Sequence, residues 1–286
     1  MNELRPDYVR PLDIKNGRID MGHGAGGRAA AQLIGELFVR AFDNPFLRQG
    51  NDGAALPALP AGHRLVMATD AHVVSPLFFP GGDVGCLSVH GTLNDVAMCG
   101  AVPLYLSASF ILEEGFPLAD LKRIVDSMAA AAREAGVPIV TGDTKVVEKG
   151  KGDGVFISTT GVGALAPGID TGGANARPGD VLLLSGSIGD HGVAVLSQRE
   201  NLSFETTIES DTAALHTLVA AMLAAANAAG AGATGATGAV GASAGIRVLR
   251  DPTRGGLATT LNEIARQSGA GMQLQEAAIP VRPQVD

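Results

Sequence analysis

The stretch "GVPIVTGDTKVVEKG", residues 136–150, decides the fold. Its apolar run, Val137 to Val140, reads as a buried strand. A Gly turn at Gly142 then presents Asp143 and Lys145 at the strand's end. Just before it, "PLADLKRIVDSMAAAAREAG" (117–136) puts Leu118, Leu121, Ile124, Val125 and Met128 on one helical face, with Gly136 as the stop. Helix followed by buried strand is the α/β signature, and it repeats outward in both directions. Strands are expected at 64–70, 103–112 and 154–165, and a helix at 85–100. A Pro/Gly-rich break, "PGIDTGGANARPGD" (167–180), separates two units. Beyond it, strands are expected at 181–186 and 246–251 and a helix at 257–268. The fold class is α/β (α+β), with mixed sheets that carry helices on one face.

The composition fits a globular chain of two domains. Of 286 residues, 46% are hydrophobic and 17% charged. A net charge of −8 with no basic patch argues against a nucleic-acid partner. No apolar run is long enough to span a membrane, and the polar N-terminus is not a signal peptide. Two cysteines without metal-site spacing, Cys86 and Cys99, point to the cytoplasm. Scattered histidines argue against a His-based zinc site. The stretch at 220–245 starts as an Ala-rich helix, and its Gly/Ala part, 230–245, reads as a flexible insertion.

Aspartates fall where apolar segments end: Asp52, Asp70 and Asp143, with Asp95 beside Asn94 inside a helix. Taken singly, each merely ends an element. If they converge, two carboxylates about 4 Å apart repel by about 4 kcal/mol at an effective dielectric of 20, and the group needs protons or cations. Oxygen ligands alone favour Mg2+. "GHGAGG" (22–27) precedes a helical run, so its backbone N–H groups, at Gly24, Gly26 and Gly27 among others, suit a phosphate. It lacks the P-loop Lys and serves equally as a linker. In "RDPTRGGLATTLNEIA" (250–265), Arg254 beside two glycines suits an anion; otherwise Asp251 and Thr253 cap the helix.

Together "GHGAGG", "TDAHVVSPLFFPGGDVG", "HGTLNDVAMCGA", "FILEEGFPL", "IVTGDTKVVEKG", "SGSIGDHG" and "RDPTRGG" resemble the HypE family of hydrogenase maturation proteins. That family sits with aminoimidazole ribonucleotide synthetase, selenophosphate synthetase and thiamine monophosphate kinase. The resemblance implies a two-domain PurM-like fold: an N-terminal segment at 1–45, an ATP-binding domain at 46–166 whose sheet pairs across a homodimer, and a partial C-terminal α/β domain at 178–286. It implies ATP-dependent dehydration of an S-carbamoyl cysteine to a thiocyanate, with HypF as carbamoyl donor and the HypC–HypD complex as cyanide acceptor. It also implies that Asp52, Asp70, Asp95 and Asp143 serve Mg2+ and phosphate with Asn94 alongside, and that the glycine loop covers phosphates. Lys145 then stands near the reacting group. The family finishes in Pro-Arg-Ile-Cys and carries an Asn-Glu-Gly segment, whereas this chain ends at "IPVRPQVD". The chain by itself is therefore expected to make no cyano group. Two other readings remain: a non-catalytic scaffold, or a related ATP enzyme such as a selenophosphate synthetase. The latter wants a reactive cysteine in the glycine loop, which has none.

Overall fold

The computed structural model describes residues 11–200, 208–232 and 245–285. Four strands make one mixed sheet: β1 (Arg64–His72), β4 (Val102–Glu113), β5 (Ile139–Val147) and β6 (Val155–Leu165), in the order β1-β6-β4-β5. β4 and β5 run parallel, and the other pairings are antiparallel. Two short strands, β2 (Phe78–Phe79) and β3 (Gly82–Asp83), form a separate hairpin. It leads into α3 (Val84–Met98), where Asp83 caps the helix through the Gly85 and Cys86 amides.

One face of the sheet is buried under helices. α4 (Leu118–Ala135) turns Leu121, Ile124, Val125 and Met128 inward, as its periodicity demands, and ends at Gly136. These side chains pack with Val89 and Leu93 of α3, with Leu106, Phe110 and Leu112 of β4, and with Ile157 of β6. The N-terminal helical run closes the same core with Leu33, Leu37 and Phe38. That run consists of α1 (Gly27–Leu33), a π-helical stretch at Ile34–Val39 and α2 (Arg40–Phe42). The other face is open, with rows such as Met67–Val162–Tyr105 and Ala71–Ser158–Ser109–Asp143 running across it.

The strand that opened the reading is longer than its apolar run. β5 continues to Val147, so Gly142 is no turn, and Asp143 and Lys145 lie inside the strand. The glycine is there because β4 passes close: a Cβ at 142 would lie 2.2 Å from the Ala108 carbonyl oxygen. The turn comes later and is held by Glu113, whose carboxylate accepts the Gly150 and Gly154 amides at 2.6 and 3.0 Å.

Among the described residues, neither strand expected in the second unit forms. Val181 and Leu183 are 79% and 84% exposed, and no neighbouring strand supplies a ladder for them. The 246–251 run satisfies its apolar residues differently: Ile246 and Leu249 pack with Val96, Leu165, Val219 and Leu223. Among the described residues the second unit is thus helical, α5 (Asp190–Arg199), α6 (His216–Gly232) and α7 (Gly256–Ser268), with α6 tied to α3 through that cluster. The Ala-rich segment is helical up to Gly232; the expected flexible stretch beyond it, 233–244, lies outside the described residues.

Candidate active site

β1 and α3 are the scaffold of the site. Asp70, near the end of β1, shares with buried His72 the sheet face that α3 covers. Asp95 lies on α3, one helical turn after Gly91. A Cβ at Gly91 would stand 3.5 Å from Asp70 Oδ2, so strand and helix meet closely here. Asp251, just ahead of α7, completes a trio. Asp95 is pushed up to about 6, first by burial and then by the charges of Asp251 and Asp70. Burial, with a contribution from Asp70, raises Asp251 as well, while Arg250 opposes both shifts. Arg250 is itself engaged by Glu263. Burial and Asp95 together raise the Cys99 thiol at the end of α3. Two carboxylates raised by burial and by neighbouring acid charge form a site short of positive charge.

The trio is not the four-acid cluster that the sequence suggested. β1 and β5 are the two outer strands, three spacings or about 14 Å apart. Asp143 also faces the open side, in register with Ser109, and accepts the Thr144 amide at 2.8 Å. Within one chain it cannot share an ion with Asp70. Asp52 is exposed in an irregular segment, with no hydrogen bond or ion pair among the described residues. No three His, Cys, Asp or Glu side chains among those residues stand close enough to hold a metal by themselves. A magnesium ion here would need phosphate or water oxygens to complete its shell, which is its usual habit.

Asn94 is occupied elsewhere. Its Nδ2 donates to the Ala213 carbonyl at 3.0 Å, and its Oδ1 accepts the Leu215 amide at 2.8 Å. Both ends of the amide thus tether the start of α6 to α3. The glycine loop is shaped by an Asp20–His23 capping box, and Gly24 rests on Val146, the neighbour of Lys145. Gly26 and Gly27 have φ of 79° and 76°, with nothing within 4 Å of a would-be Cβ. Lys145 and Asp143 are i, i+2 neighbours on the open face of β5. Arg254 is exposed before Gly255 and Gly256, and α7 has no side-chain cap, so Asp251 and Thr253 do not cap it. In the sequence Asp251 was weighed only as a helix cap, although it ends an apolar run just as Asp70 does.

Two family models match: AIR synthase related protein, N-terminal domain, over residues 50–165, and its C-terminal domain over 177–285. The chain is 74% identical over 279 residues to the carbamoyl dehydratase HypE of Cupriavidus necator, covering 98% of itself and 74% of that protein. The chain belongs to the HypE family. A crystal structure of HypE in complex with ATP superposes with a TM-score of 0.83 at 52% identity, covering 93% of this chain and 73% of that one. A HypE–HypF complex matches with a TM-score of 0.70 at 50% identity, over 88% of this chain and 76% of that one. The chain thus spans about three quarters of the length of these HypE proteins.

Proposed function

We infer that the chain works as its family does, as an ATP-dependent carbamoyl dehydratase of hydrogenase maturation, and that Asp70, Asp95 and Asp251 form the acidic end of its Mg2+–ATP site. The observation that carries the site is the raised pKa of Asp95 among two further carboxylates, at the seam between the regions matched by the two family models. ATP binding is supported by the structural likeness to HypE with ATP bound.

The chemistry follows from leaving groups. The oxygen of an S-carbamoyl group leaves poorly, and phosphoryl transfer from ATP turns it into phosphate, which leaves well; once a base has taken the two protons of the amide nitrogen, what remains is a thiocyanate. Bound magnesium would spread the charge of the transferring phosphoryl. The acid trio would hold that ion together with the nucleotide's phosphates. Arg254, exposed and without an ion pair among the described residues, would take phosphate oxygens, and the open glycine loop would cover them with N–H groups. Within one chain Lys145 lies with Asp143 on the open face of β5, away from the trio; across the proposed dimer it would steady the reacting group held by the second copy. HypF as donor is supported by the likeness to the HypE–HypF complex. HypC–HypD as acceptor, a cytoplasmic setting and a homodimer through the open sheet face complete the proposal. No helix among the described residues is long and apolar enough to cross a membrane.

Isothermal titration of the chain with ATP, with and without Mg2+, tests this reading. Binding that needs Mg2+ and is lost in Asp95→Asn is expected. No heat with either mixture would favour a scaffold without nucleotide chemistry.

A further inference from the structure

We propose that His72 is a positioning residue: a buried threonine network fixes the tautomer in which its Nε2–H holds the Asp70 carboxylate toward Asp95 and Asp251. The proposal rests on reading those acids as the Mg2+–ATP site.

His72 ends β1 and is 6% exposed. Its Nε2 lies 3.3 Å from Thr159 Oγ1 on β6 and 3.6 Å from Asp70 Oδ2. Thr159 donates its hydroxyl proton to the Ser88 carbonyl at 2.9 Å. A hydroxyl has only one proton to give. Toward its other neighbours Thr159 Oγ1 therefore accepts, and those neighbours are Thr92 Oγ1 at 2.6 Å and His72 Nε2. The ring proton is accordingly on Nε2, and its positive end also faces Asp70. At 3.6 Å that contact is electrostatic rather than a hydrogen bond. The second Asp70 oxygen, Oδ1, accepts the Ala71 amide at 2.7 Å. Main chain steadies one oxygen and His72 the other, which fixes the plane of the carboxylate.

Gly91 belongs to the same device. A Cβ at this position of α3 would lie 3.0 Å from His72 Cε1, so any larger residue would push the imidazole aside by a few tenths of an ångström. Glycine in mid-helix weakens the helix relative to alanine, and room for the ring is the return.

The test is a double-mutant cycle of Asp70→Asn and His72→Phe, read by titration with ATP and Mg2+, with Gly91→Ala and His72→Gln alongside. His72→Phe is expected to weaken Mg2+-dependent ATP binding by about 10-fold or more, the range in which partners of metal-ligating groups act. It should add nothing in the Asp70→Asn background. His72→Gln, which keeps an N–H at that reach, should recover part of the loss. Gly91→Ala should melt no lower than the parent yet bind more weakly, a split that a role in packing alone would not produce. If Asp70→Asn weakens binding while His72→Phe and Gly91→Ala bind like the parent, the role of His72 falls and the acid site stands. Additive losses in the double variant overturn it equally. If Asp70→Asn binds like the parent, the acid-site reading falls and takes this proposal with it.

Discussion

Asp95 occupies a place that disfavours a charged carboxylate. It is half-buried, faces Asp70 from β1 and Asp251 from the segment before α7, and gains only partial relief from Arg250. Its folded pKa of about 6 lies above its unfolded value, so between roughly pH 4 and 6 the folded state holds the extra proton. Stability therefore falls as pH rises through that window, and at pH 7 the ionised side chain is a net cost. Asp95→Asn should accordingly raise the melting temperature at pH 7 to 8, with the gain vanishing below about pH 4, as thermal melts across pH would reveal. The same variant should lose Mg2+-dependent ATP binding, since the strain of the free site is what a cation relieves. Lys145→Ala is the complementary case: in the chain extended by the family's cysteine-bearing tail, single-turnover assays should show slowed dehydration with ATP affinity largely kept. Acids that interrupt or end apolar runs made Asp70 and Asp95 legible in the sequence. The same rule applied to "IRVLRD" would have found Asp251. His72 and Gly91 were not legible, because their roles exist only where a strand end meets a helix that is distant in sequence.

α3, α4 and α7 were read almost to the residue, α4 through its strong periodicity and glycine stop, whereas α5 at Asp190–Arg199 was not foreseen. β5 was cut short because glycine after an apolar run usually marks a turn. Here it marks a close approach between two parallel strands, which only the neighbour β4 reveals. Gly142→Ala makes the difference measurable. A methyl group 2.2 Å from the Ala108 oxygen cannot be accommodated without parting β4 from β5. The expected cost is about 1–3 kcal/mol, typical of forced overpacking, read by chemical denaturation. A turn glycine at the same place would tolerate alanine far better, since its Cβ would point into solvent. The expected strands at 181–186 and 246–251 failed for another reason. Hydrophobic runs signal burial, and a strand also needs a partner for its ladder; Leu249 found burial among helices instead.

At the scale of the molecule, the open face of the sheet is the feature a single chain leaves unexplained. Leu65, Met67, Val73, Val102 and Ile111 stand 44–70% exposed on the strands or at their ends, Leu65, Met67 and Val102 grouped toward one end of the sheet and Val73 and Ile111 toward the other. The α/β alternation of the first unit and the division of the chain near 167–180 were legible, but which sheet face stays uncovered depends on packing and is invisible in the pattern. Grouped apolar residues on a sheet are a surface for association, and a second copy of the chain presents a matching one. A charge at the middle of such a contact would be buried without a partner, and the association would lose several kcal/mol. Met67→Asp, in the most exposed of these positions, should therefore convert a dimer into a monomer, as light scattering after gel filtration would show. Leu183→Asp serves as the control, because Leu183 is even more exposed, at 84%, but lies in the second unit. If Leu183→Asp splits the dimer and Met67→Asp does not, the chains associate through the unpaired 181–184 run, and the sheet face must be covered in some other way.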